Sequence, residues 1–173
     1  MTDVAAAGLQ PGGGLGDATI AFLARRVSVS VASSDRANRP CVGRALGARA
    51  SADGARLTVL VDGRANAALV AAVAETGRLA VVISEPSTHR SIQVKGDTAV
   101  VATPTADEAA LPAHHTDLFV AELVGIGFTE PFVRTVCAHD PADLVALHLR
   151  PGAVFDQTPG PNAGAPLSTR VPP

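Results

Sequence analysis

The chain has no tryptophan and no tyrosine, and its only aromatic residues are five phenylalanines. Stacking of a ligand on aromatic side chains is therefore a minor option. Two cysteines, Cys41 and Cys137, are too few for a disulfide scaffold or a four-cysteine zinc site. A basic excess is also missing: 14 Lys plus Arg stand against 16 Asp plus Glu, a net charge of −2. That balance argues against a nucleic-acid partner. No apolar run approaches the roughly 20 residues of a membrane span. Met1 to Gly16 has neither a basic start nor a long apolar stretch, so no export signal is read and the cytoplasm is the expected location. Lysine is nearly absent as well. Lys95 stands alone beside 13 arginines, a bias that points to base composition more than to function.

What is present suits one domain with loose ends. The 173 residues are 47% hydrophobic, enough to fill a core. Residues 1–16 read as a flexible lead, 17–156 as the folded domain and 157–173 as a proline-rich tail. Asp17 to Arg26 reads as a short helix. Val27 to Ala32 (VSVSVA) alternates as a strand. Val42–Ala50 and Arg56–Val61 flank Ala52-Asp53-Gly54, a strong hairpin signal. Asp62 can open a helix that Gly77 closes, with Leu69 and Val73 one turn apart. Arg78–Ser84 and Arg90–Ala102 read as strands. Thr105 to Glu108 spells a capping box, and a helical pattern runs on to about Gly125. Arg134–Ala138 and Leu144–Phe155 read as further strand. This order lacks strict βαβ alternation, so a mainly β antiparallel barrel with a few helices is expected.

Several chemistries fail on spacing. There is no GxSxG elbow and no phosphate loop ending in Gly-Lys-Ser/Thr. The glycine run Gly12–Gly16 follows no strand, so it is a linker and not a dinucleotide fingerprint. His114, His115, His139 and His148 match no standard metal spacing, and no metal is expected. His115 falls on the Leu111/Leu118 stripe, as a core or interface histidine does. Cys137 has no CxxC partner and reads as a small buried hydrophobe.

Three segments carry polar residues that a plain barrel does not need. Arg44 and Arg49 lie in a run of small and apolar residues, VGRALGAR. Asp62-Gly63-Arg64 places a cation at the start of a helix, an arrangement that suits an anion. In Arg90-Ser-Ile-Gln-Val-Lys95, alternation puts Ile92 and Val94 on one face and Ser91, Gln93 and Lys95 on the other. Taken singly, each is explained as a solvated strand face.

In this order along hairpin, helix and strand, the segments resemble the pyridoxamine 5′-phosphate oxidase-like, FMN-binding split-barrel family, over about Ala21 to Val101. Val154 to Gly164 (VFDQTPGPNAG) resembles an oxidase-related branch of unknown substrate. Where the family has Arg-x-x-x-x-Lys, this chain has Arg44 and Arg49. Leu60-Val61 followed by Gly63-Arg64 stands at the family's turn into a helix, with Ala65 in place of its second basic residue. Arg90-Ser91 stands where the family has Arg followed by Gln.

The resemblance implies a six-stranded antiparallel Greek-key split barrel and a homodimer with FMN at the subunit interface. It implies a flavin-dependent oxidoreductase acting on an unidentified small molecule. The alternative is a non-catalytic flavin- or haem-binding sensor or carrier of the same fold. Arg44, Arg49 and Arg64 would fork onto the phosphate. Backbone groups of Ala45, Leu46, Gly47, Ala48, Leu60 and Val61, with Ser91, would meet the polar rim of the ring. Arg44 and Arg49 are five apart, so both reach one phosphate only if the strand bulges near Gly47 or ends before Arg49. The vitamer oxidases end in a segment with Trp and Arg. This chain has no Trp, so oxidation of pyridoxine 5′-phosphate is not expected.

Overall fold

Period-two alternation sets the buried face of the strands at the centre of the larger sheet. A computed structural model describes residues 8–10 and 13–169. In β1 (Ser28–Ser34), Val29 and Val31 are buried while Ser30 faces out. In β5 (Leu79–Ser84), Leu79, Val81 and Ile83 are buried. In β6 (Ser91–Gly96), Ile92 and Val94 are buried. These strands join β2 (Pro40–Arg44), β9 (Ala153–Asp156) and β10 (Pro166–Thr169) in a six-stranded antiparallel sheet, ordered β10-β9-β6-β5-β1-β2. A four-stranded sheet holds β3 (Gly47–Ala50), β4 (Leu57–Asp62), β8 (Leu144–Leu149) and β7 (Val100–Ala102), ordered β3-β4-β8-β7. The first five residues of β4 are buried, and Leu147 and Leu149 of β8 face the same core.

The protein is thus mainly antiparallel β with a few helices. Its strands form two sheets that are not closed into a barrel. The chain passes between the sheets at corners that alternation alone does not reveal. The run read as Val42–Ala50 leaves the six-stranded sheet at Arg44 and joins the other at Gly47. The run Arg90–Ala102 likewise divides into β6 and β7, and Leu144–Phe155 into β8 and β9. At one corner a Cβ on Gly96 would lie 2.6 Å from the Arg150 carbonyl oxygen, so only glycine fits this crossing.

Helices close the flanks. Leu69 and Val73 of α2 (Ala67–Thr76) enter the core, and Gly77 caps the helix in a left-handed conformation. The Asp62 carboxylate accepts the Ala65 N–H at 2.8 Å, so it closes the turn ahead of α2 and does not cap the helix itself. Phe22 and Leu23 of α1 (Asp17–Leu23) are buried in the same core. The capping box is present: Thr105 Oγ1 accepts from Glu108 N–H and Glu108 accepts from Thr105 N–H, opening α3 (Ala106–Ala109). Then α4 (Leu111–Gly125) packs on β3 and against α5 (Glu130–Val136). Phe119, Val120, Val133 and Cys137 form a small second core between α4 and α5.

Three expectations are corrected. Arg134–Ala138 is not strand but the end of α5 and its cap. Pro131 sits in the first turn of that helix, where its missing N–H costs nothing. The lead is not wholly loose: Leu15 is fully buried and its N–H donates to the Gly54 carbonyl at 2.9 Å. The tail carries β10, which pairs with β9. Residues 1–7 and 11–12 of the lead, and 170–173 of the tail, lie outside the described residues.

Candidate functional site

The corner between β2 and β3 solves the facing problem of the two arginines. Arg44 is the last residue of β2, opposite Ser30. Ala45 and Leu46 then carry the chain across, their N–H groups donating to the carbonyls of Val29 and Leu60. Arg49 belongs to the other sheet, opposite Thr58. The register breaks between the arginines, so their five-residue spacing no longer forces them to opposite sides.

Helix α4 covers this corner. Leu111 at its start lies against Gly47. One turn apart, His115 and Phe119 point to the same side of the helix. The Arg44 guanidinium carbon sits 4.4 Å from the Phe119 ring centroid. Its Nε and Nη2 are shielded from solvent and have no hydrogen-bond partner. The Nε2 of His115 is in the same state, and His115 is only 7% exposed. Burial lowers the His115 imidazole to about 4, helped by the nearby positive charges of Arg44 and His114. It is therefore neutral near pH 7. A cavity of about 200 Å³ opens between α1, β3 and α4, with His114, His115, Ala48 and Arg49 in its wall.

Unpaired buried donors are rare because each forfeits its hydration without replacement. Here two cationic nitrogens and one imidazole nitrogen stand unpaired around one corner. Such an arrangement is suited to hold an anion.

Of the expected residues beyond this stretch, Leu60 meets the corner through its backbone, and Arg64 and Ser91 do not. Leu60 and Val61 are buried in β4, and the Leu60 carbonyl is taken by Leu46. Arg64 lies in a shallow groove between α2 and the start of β8. The Ser91 hydroxyl is 2.7 Å from Ser84 Oγ and 3.1 Å from the His89 carbonyl. So the structure brings Ala45, Leu46, Gly47, Ala48 and Leu60 to the corner between Arg44 and Arg49, and leaves Arg64 and Ser91 apart. It adds His115 and Phe119, which the strand motifs did not point to. Their only sequence signal is the helical stripe through Leu111 and Leu118.

A second polar cluster is self-contained. His148 Nε2 lies 2.9 Å from Glu108 Oε1, and Thr58 Oγ1 donates to the same oxygen at 3.4 Å. Burial pushes the Glu108 carboxyl up, but the bonds from Thr105 and His148 outweigh it and hold the group below its usual value. These partners tie α3 to the four-stranded sheet. Among the described residues, no group of three or more His, Cys, Asp or Glu could hold a metal ion. No described helix is long and apolar enough to cross a membrane.

No protein-family model matches the chain, and no curated protein does. Solved structures do match. HupZ from Group A Streptococcus is 14% identical, with 85% of this chain and 98% of that one covered and a TM-score of 0.52. A candidate pyridoxamine 5′-phosphate oxidase from Lactobacillus delbrueckii is 16% identical, with 83% and 94% covered and a TM-score of 0.50. With two antiparallel sheets, helices on their flanks and these structural neighbours, the chain has the fold of the pyridoxamine 5′-phosphate oxidase-like proteins.

Proposed function

We propose that the protein binds FMN and serves as a flavin-dependent oxidoreductase on a small molecule, with its two sheets forming the halves of a Greek-key split barrel. The observation that carries this reading is Arg44, with two shielded nitrogens that lack a partner. A phosphate dianion answers both, and a bidentate guanidinium contact is the strong form of that bond. The fit holds at the phosphate end. Arg44 would hold the phosphate, and the Phe119 ring beneath the guanidinium supports it. Ala45 and Ala48 keep the corner low, so a ring could approach the backbone. When bound, the flavin would supply the redox chemistry, and the protein the orientation and electrostatics.

A homodimer is part of the same proposal. Val42 on edge strand β2 is 77% exposed, and Val100 on edge strand β7 is 55% exposed. Apolar side chains on sheet edges suit a second subunit. Light scattering at micromolar concentration should give twice the chain mass, and a monomer with flavin bound would remove this part.

The deciding experiment titrates purified protein with FMN and with riboflavin, which has the ring but no phosphate. FMN should bind with micromolar or better affinity, and riboflavin roughly ten- to a hundredfold more weakly, the scale of a charged hydrogen bond. Folded protein that takes up no FMN would overturn the reading. Uptake of haem instead, seen as a Soret band, would move the protein to the carrier class.

A further inference from the structure

The cavity between α1, β3 and α4 has a chemistry of its own. Its walls are mostly aliphatic, including Ile20, Leu23, Leu111 and Leu118. Its polar groups are Arg49, His114 and His115, and no carboxylate is among the described residues of the wall. The field is therefore positive, with Arg44 adding to it from beyond His115. Arg49 is exposed, so it stands where the cavity meets solvent. His115 is over nine-tenths buried and its Nε2 has no partner within the protein. A cavity lined only by aliphatic groups can stay empty, but a buried imidazole nitrogen without a partner calls for one.

We infer that this cavity binds a small monocarboxylate with an apolar body, its carboxylate held between His115 Nε2 and the Arg49 guanidinium. The neutral imidazole carrying its proton on Nε2 donates one hydrogen bond. Arg49 supplies the charge and a second donor. The size follows from volume. An apolar cavity of roughly 150 Å³ accepts benzene, so about 200 Å³ suits one ring with a carboxylate. A bare inorganic anion would leave the aliphatic wall uncovered, and a cation would meet Arg49 with no carboxylate in the wall to balance it. This inference goes beyond the flavin reading and stands whether or not flavin binds.

The probe is benzoate, added to the purified full chain and followed by calorimetry and by methyl NMR of Leu111 and Leu118. Benzamide, of the same shape without the charge, is the control. Benzoate should bind saturably and shift those methyls, with benzamide at least about tenfold weaker. Arg49→Gln, at an exposed position that does not disturb the core, should weaken benzoate by about tenfold or more. His115→Leu should weaken it too, and if that variant fails to fold the Arg49 comparison still decides. Equal binding of benzoate and benzamide, no saturable binding, shifts confined to other residues, or indifference to Arg49→Gln would each overturn the inference. So would competitive displacement of benzoate by inorganic phosphate or FMN, which would make the cavity the flavin's own anion seat. A protein that binds benzoate but no FMN would retain this inference and lose the flavin reading.

Discussion

Replacing Arg44 by methionine should make the ligand-free protein more stable and the flavin complex weaker. In the free protein, Nε and Nη2 are shielded and unpaired. Each such group costs about 1–3 kcal/mol in lost hydration, so the pair costs on the order of 2–6 kcal/mol. Against this, the guanidinium gains from its place 4.4 Å from the Phe119 ring centroid, a contact worth about 0.5–2 kcal/mol. Methionine keeps most of the aliphatic stem and offers sulfur to the same ring. The net gain is about 3 kcal/mol at the middle of these ranges. For a domain of this size the midpoint should rise by roughly 2–4 °C per kcal/mol. FMN affinity should fall by roughly ten- to a hundredfold, with riboflavin nearly unaffected. The assay is thermal and urea unfolding of flavin-stripped wild type and variant in phosphate-free buffer, paired with FMN and riboflavin titrations. A variant less stable than wild type in the absence of ligand would refute the reasoning. It would mean that the guanidinium is satisfied inside the free protein and is a structural cation.

Two further outcomes are expected. Gly54→Ala should destabilise by about 2–4 kcal/mol: alanine pays about 1–2 kcal/mol at a φ of +66°, and its Cβ would press on the Leu15 backbone and disturb a fully buried leucine. Urea midpoints measure it, and a change below about 1 kcal/mol would show that Leu15 can leave without loss. His115, lowered to about 4, is neutral when folded and takes a proton more readily when unfolded. Its contribution is full above the unfolded value near 6.5 and is lost as pH falls from there toward 4. The loss over that window is on the order of 3 kcal/mol. Wild type should lose more stability than His115→Leu between those limits, and parallel pH profiles would contradict the burial of the imidazole.

Local signals in the sequence read well where the cause is local. The Asp53-Gly54 hairpin forms, with Ala50 opposite Leu57. The capping box and the Gly77 cap are where the residue types place them. What stayed hidden depends on distant partners. Alternation says which side chains face inward but not which sheet a strand belongs to, so two of the three corners left no sign, and the one near Gly47 showed only in the spacing of Arg44 and Arg49. Leu15 lies in a glycine-rich stretch, and nothing nearby shows that the hairpin tip receives it. The run Arg134–Ala138 contains Thr135 and Val136, whose branching favours strand, yet packing on α4 and a proline in the first turn made it helix. At the candidate site, Arg44 was legible as a cation among small residues. Its neighbour His115 lies 71 positions further on, and only the fold brings them together.

The pairing of β10 with β9 bears on how the chain can be cut. Composition invites trimming at about Gln157, as if nothing structural followed. Such a cut would remove the strand that occupies the outer edge of the six-stranded sheet. The N–H and C=O groups of β9 would then stand open beside Val154 and Phe155, a template for pairing with another chain. Strand β10 is a selvedge: it finishes this edge and keeps β9 from pairing with another chain.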